Sequence, residues 1–173
     1  FPEAVRTLAQ RASIDLPAAE DDEEVKRTER LYRANEFAAG FFVRTMNLTA
    51  DGEKARLYME KRGFDKESLD RFRIGFSPDR WDGLLSEAAR EHIAPEDLHE
   101  AGLAVPRKGG GFYDRFRGRL MFPVLNPSGK VVGFGGRSLK KGDTGPKYIN
   151  TPETAVYQKS RILYGLYQSK EGI

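Results

Sequence analysis

Apolar positions fall into two regimes along the chain. Val25, Leu31, Ala34, Ala38, Phe41, Phe42 and Thr45 recur at helical intervals. That spacing predicts one long amphipathic helix ending near Met46. From Leu103 onward, apolar residues come instead in short runs broken by glycine, proline and asparagine. Leu120-Met121-Phe122-Pro123-Val124 and Lys130-Val131-Val132-Gly133-Phe134 flank Asn126-Pro127-Ser128-Gly129, which reads as two strands of an antiparallel hairpin joined by a turn. Short helices are expected between the two regimes. One, over residues 52–62, has Asp51 as its cap, Gly63 as its stop, and Leu57 and Tyr58 toward the core. Asp65 caps a second over 66–72, and Asp82 a third over 83–92. Pro95 opens a fourth over 95–101, which Gly102 ends.

The remaining segments are weaker. Residues 1–13 read as a short helix stopped at Leu16-Pro17, and residues 18–24 as an acidic linker or first helical turn. Residues 103–106 and 148–150 read as short strands, 154–158 as a turn of helix, and 161–167 as a strand or helix start. The fold class this predicts is α+β: a helical N-terminal half followed by a twisted, mainly antiparallel β-sheet with a basic face.

Composition narrows the function. The chain has 173 residues, 39% hydrophobic and 32% charged, which fits one ordinary globular domain. There is no apolar run near the ~20 residues that would cross a bilayer, and a cytoplasmic location is expected. No cysteine is present, so no disulfide or thiolate metal site is available. His92 and His99 stand in an acidic helical stretch and read as solvated. No phosphate loop of the GxxxxGK[ST] kind occurs, and no Ser–His–Asp arrangement is suggested.

Charge changes the picture more. Residues 107–170 carry 13 Lys and Arg against 3 Asp and Glu, whereas residues 1–106 carry 16 against 22. The net +3 of the chain therefore hides a basic C-terminal half, which suits a polyanionic partner. Within it Arg115, Arg117 and Arg119 alternate. In a strand they would line a ridge about 13 Å long. The glycines of Gly133-Phe134-Gly135-Gly136-Arg137 would let a ligand approach the backbone, and Arg137 offers a fork to phosphate. The same pattern also describes a solvated basic hairpin face. Arg62 likewise has two readings, as a charge offsetting a helix dipole or as a phosphate contact. Trp81, the only tryptophan, is either core or a stacking platform for a base.

Four stretches in one order carry a resemblance: RFRGRLMFPV, GKVVGFGGR, PKYINTPET and YQKSRILYGLY. Together they resemble the N-terminal part of the RNA-polymerase region of bacterial replicative primases of the DnaG type. The likeness extends upstream through YMEKRGFDKESLDRFRIGFSPDRWDGLL to the opening FPEAVRTLAQRASIDLP. The resemblance implies synthesis of RNA primers on a single-stranded DNA template, with NTPs as substrates and a replicative helicase as partner. It implies that residues 1–24 are the end of a zinc-domain helix and its linker, and that 25–173 are the subdomain preceding a Toprim domain. Zn2+ would belong before residue 1 and Mg2+ or Mn2+ after Ile173, with neither held by this chain, and the chain by itself would be inactive. Carried over by position, Arg62, Trp81, Arg115, Arg117 and Arg119 would track the template. Arg137, Lys147, Asn150 and Lys159 would meet nucleotide or phosphate. Thr151 stands where the family often has serine, which keeps the hydroxyl.

The residues themselves fit that implication. Polymer-forming phosphoryl transfer uses metal ions held by clustered carboxylates. The basic half offers only Asp114, Asp143 and Glu153, none adjacent, and the run Asp21-Asp22-Glu23-Glu24 lies on a linker or helix start. The alternative is a non-catalytic single-stranded nucleic-acid-binding module with a basic sheet.

Overall fold

A computed structural model describes residues 20–140 and 145–169. The segment expected as the first short helix lies outside them. The spine is α1 (Glu20–Leu48), a 29-residue helix. Ala34, Ala38 and Ala39 on its inner side are fully buried, and so is Phe42. Alanines let a sheet come close to a helix, and the aromatic ring fills the gap beside them. The approach is closest at Gly75, the first residue of β1 (Gly75–Ser77). A Cβ there would stand 2.5 Å from the Phe42 carbonyl carbon. Gly75→Ala should therefore force α1 off the sheet and cost about 2–3 kcal/mol. Urea denaturation checks this, and an unchanged midpoint would mean that the helix can shift without loss.

Four short helices follow the spine before the sheet is completed. The first three are α2 (Ala50–Glu60), α3 (Lys66–Arg71) and, after β1, α4 (Gly83–Arg90). The next, α5 (Pro95–Glu100), is tied to α1 by Arg27–Glu100 and Arg30–Asp97 ion pairs of 2.8 and 3.2 Å. Two strands, β2 (Ala104–Pro106) and β3 (Phe112–Asp114), pair as a separate antiparallel ribbon. The main sheet has β4 (Arg119–Leu125), β5 (Val131–Ser138) and β6 (Tyr148–Asn150) in the antiparallel order β1-β4-β5-β6. The Asn126 side chain accepts from Ser128 N and Lys130 N, each at 3.0 Å, and sets the β4–β5 turn. Residues 159–161 form a 3-10 turn and α6 (Leu166–Ser169) ends the described chain. No helix among the described residues is long and apolar enough to cross a membrane.

Central strand β4 is covered on both sides. Met121 and Leu125 join the apolar cluster of Phe42 and Phe134, while Leu120 joins that of Met59, Leu69 and Phe76. A strand buried on both faces reads as a continuous apolar run rather than an alternating one.

The α+β class and the order of elements agree with the sequence reading, and Asp65, Pro95, Gly63 and Gly102 act as expected. Five local expectations do not hold. The cap of α2 is Thr49, whose hydroxyl accepts from Gly52 N at 3.0 Å, and Asp51 lies inside the first turn. Leu57 is 49% exposed, because α2 buries Gly52, Ala55 and Met59 instead. Asp82 precedes α4 but makes no side-chain cap bond. Residues 154–157 close a tight turn through a Thr154–Tyr157 bridge, with no helix. Finally, Arg115 to Gly118 are not strand. Sheet geometry begins only at Arg119, so the three arginines do not form a ridge.

Candidate nucleic-acid interface

Two groups of cations on aromatic rings stand on the surface. The first is built on Tyr58 of α2. The Arg62 guanidinium lies 5.3 Å from the Tyr58 ring centre, one helical turn on, and that of Arg137 in β5 lies 4.6 Å from it. Arg137 pairs across the sheet with Tyr148 of β6, and its Nε donates to the Tyr148 hydroxyl at 3.2 Å. The Lys147 ammonium stands 5.8 Å from the Tyr148 ring centre. Asn150, exposed two residues further on, sits opposite Gly135. Arg62, Arg137, Lys147 and Asn150 are thus brought together from α2, β5 and β6. The rings hold the cations by cation–π attraction and leave guanidinium and ammonium protons for an anion.

The second group is built on Trp81, which is 59% exposed. Its ring meets Tyr113 of β3 edge to face at 5.3 Å. The Arg117 guanidinium lies 4.1 Å from the Trp81 ring and 5.2 Å from that of Tyr113. Pro106, Arg107 and Lys108 complete an open cleft of about 660 Å³ around these rings. An exposed indole backed by guanidinium, with further cations alongside, is what a stacked base and its phosphate require.

A smaller cleft of about 360 Å³ is lined by Tyr58 of the first group together with Asp51, Asp79, Gly118 and Lys140. Its two carboxylates do not make it acidic. Asp51 pairs with Lys54 at 2.8 Å and Asp79 with Lys140 at 2.7 Å.

Three sequence expectations need correction here. Arg119 is 7% exposed and spends its head group on backbone. Its Nη atoms donate to Pro146 O, Lys147 O and Gly136 O at 3.0, 3.2 and 3.4 Å. It ties the segment carrying Lys147 to β5. Arg115 is half buried, its Nε has no partner among the described residues, and burial lowers its pKa from the usual value. Two of the three glycines after Val132 serve internal packing. A Cβ on Gly133 would lie 2.9 Å from the Tyr157 ring, and one on Gly136 would lie 2.7 Å from the Phe116 ring. A Cβ on Gly135 would meet only the Asn150 side chain, at 3.2 Å. Lys159 is exposed in the 3-10 turn, with no contact to either group beyond its N–H donating to Glu153.

Sequence reasoning passed over Tyr58, Tyr113 and Tyr148. One signal was available, because Tyr58 and Arg62 are four apart on a helix and four apart means one face. Tyr148 follows Lys147 and Tyr113 stands two residues before Arg115, but which ring supports which cation depends on strand pairing.

Metal ions fit these residues poorly. Among the described residues no group of three or more His, Asp or Glu could hold one, and the chain has no cysteine. No step through a metal is derived from them.

Fold and site together define an α+β domain that presents exposed cations on aromatic supports. Comparison with known proteins narrows this. The model of the DNA primase catalytic core, N-terminal domain, matches residues 41–170, and the chain belongs to that family. A DNA primase of Halalkalibacterium halodurans is 44% identical over 176 residues, covering all of this chain and 29% of the relative. The chain thus spans about three-tenths of the length of the curated primases it matches. A solved DnaG primase catalytic domain bound to ssDNA superposes with a TM-score of 0.77 at 38% identity, over 86% of this chain and 45% of that one. The zinc-binding and RNA polymerase domains of Aquifex aeolicus primase superpose with a TM-score of 0.77 at 29% identity, over 99% and 40%.

Proposed function

We propose that this chain is the part of a DNA primase that holds the template and the incoming nucleotide while RNA primers are made on single-stranded DNA. The observation carrying this reading is the pair of surface cation–aromatic groups, one on Tyr58 and Tyr148 and one on Trp81 and Tyr113. Trp81 with Arg117 takes a template base and its phosphate, and Arg62 takes further template phosphates. Arg137, Lys147 and Asn150 face the nucleotide triphosphate. Lys159 adds charge at the margin, and Arg119 acts on the nucleotide only by holding Lys147. Residues 25–173 form the holding unit and residues 1–24 lead into it. The likeness to a DnaG domain bound to ssDNA supports the template assignment. In the whole primase, divalent ions in a Toprim domain would neutralise charge developing at the transferred phosphate, with Zn2+ in a further domain. A replicative helicase would recruit the enzyme at the fork, in the cytoplasm.

The test is anisotropy of labelled single-stranded DNA across a salt series. Each phosphate neutralised on a single strand contributes about 0.7 to the slope of log affinity against log salt. Arg62→Ala/Arg117→Ala should lower that slope by about 1.4 and weaken binding at every salt. A double variant with the wild-type slope would make these cations a solvated face, and the reading would fall.

A further inference from the structure

Trp81 needs a support, because an exposed ring on a loop gains little from stacking unless its orientation is already fixed. The chain between β1 and α4 contains Pro78, Asp79 and Arg80, and its own cap candidate, Asp82, makes no cap bond. The support comes from another element. Asp114, the last residue of β3, is 2% exposed. Its Oδ2 accepts from Leu84 N at 2.7 Å and its Oδ1 from Leu85 N at 3.1 Å, so a carboxylate from the ribbon caps α4. Its own N–H donates to Trp81 O at 2.8 Å, and its carbonyl accepts from Arg117 Nη1 at 2.5 Å. One residue therefore holds the carbonyl behind the indole, the guanidinium above it and the helix after it.

We propose that Asp114 is a positioning residue of the template site, fixing the Trp81–Arg117 stack in the orientation that receives a base. This rests on the reading of Trp81 as a base platform. The arrangement has a built-in handle. Burial pushes the Asp114 carboxyl up to about 6, against the lowering effect of the Leu84 and Leu85 N–H groups. Asp82, ahead of α4, raises it further and Arg117 lowers it. The paired strand β2 places Ala104 opposite and brings no charge. From α5, His99 packs on Phe112 of β3 with ring centres 5.5 Å apart. The ionised carboxylate accepts two N–H bonds. Once protonated, one oxygen becomes a donor facing those donors.

The chain has one tryptophan, so its fluorescence reports on the platform directly. In the full chain without DNA, Trp81 emission should pass through a transition with its midpoint near pH 6. Asp114→Asn should abolish it, since an amide does not titrate and sets an NH2 against one of the two N–H donors. His99→Gln, the control for the nearby imidazole, should leave it in place. At pH 7.5, Asp114→Asn should weaken single-stranded DNA binding by about three- to tenfold, the scale of a lost cap, with nucleotide affinity unchanged. The wild-type titration needs no variant to fold. A flat wild-type profile, or a transition that survives in Asp114→Asn or vanishes in His99→Gln, overturns the proposal. If Trp81→Ala binds DNA like the wild type, the platform reading fails instead, while the titration still decides whether Asp114 controls the indole.

Discussion

Arg119→Met is expected to lower unfolding free energy by about 2–4 kcal/mol, and to weaken nucleotide binding without flattening the salt dependence of DNA binding. The side chain is nearly sealed, and its Nη atoms reach three backbone carbonyls on β5 and on the segment entering β6. Methionine keeps most of the volume, so cavity formation is not the main loss. What disappears is a set of charge-assisted bonds, leaving carbonyls without that donor. Strand β6 is only three residues long, and its pairing with β5 is three residue pairs. Such a short strand depends on the tie, and Lys147 lies at its entrance. Urea denaturation, nucleotide titration and the salt series on one variant separate the alternatives. Full stability with a slope reduced by about 0.7 would make Arg119 a phosphate contact. Lost stability with the slope intact makes it a structural tie.

That test bears on what the sequence could disclose. Long-range order was legible wherever one signal acted alone. The 29-residue spine announced itself by period, and the β4–β5 hairpin by two apolar runs about a turn. Proline at the start of α5 and glycine after it needed no tertiary knowledge. Errors arose where two elements compete for the same group. Asp82 has the composition of a cap, but Asp114 from the ribbon reaches the α4 N–H groups first. Asp51 lost its place to Thr49, one position outside the helix. Alternation in DRFRGR suggested a strand, but Gly118 takes a positive φ of 60 and breaks it before Arg119. Gly133 and Gly136, chosen for ligand access, proved to be seats for Tyr157 and Phe116, partners from distant parts of the chain. Charge pattern marked a basic half and said nothing of which cations are spent internally. Arg137 and Arg119 look alike in sequence. One rests on exposed tyrosines and the other is consumed by carbonyls.

Trp81→Ala should weaken single-stranded DNA binding by about 5- to 150-fold, corresponding to the ~1–3 kcal/mol that one base–aromatic stack supplies. The indole is too exposed to support the core, so its removal should change stability by less than about 1 kcal/mol. That combination separates a platform from a packing residue. Salt dependence gives a second separation. No charge is lost, so log affinity should shift by a constant at every salt concentration, whereas Arg62→Ala/Arg117→Ala changes the slope. Trp81→Phe should recover most of the binding, because a smaller ring still offers a face to the base and to Arg117. Base identity should matter little, since every base has a face to stack. Were Trp81→Ala to alter the slope as well, the indole would be acting through Arg117, holding the guanidinium at a phosphate rather than receiving a base. Arg117→Ala would then reproduce its full effect, whereas for a true stack it removes only the charge-dependent part.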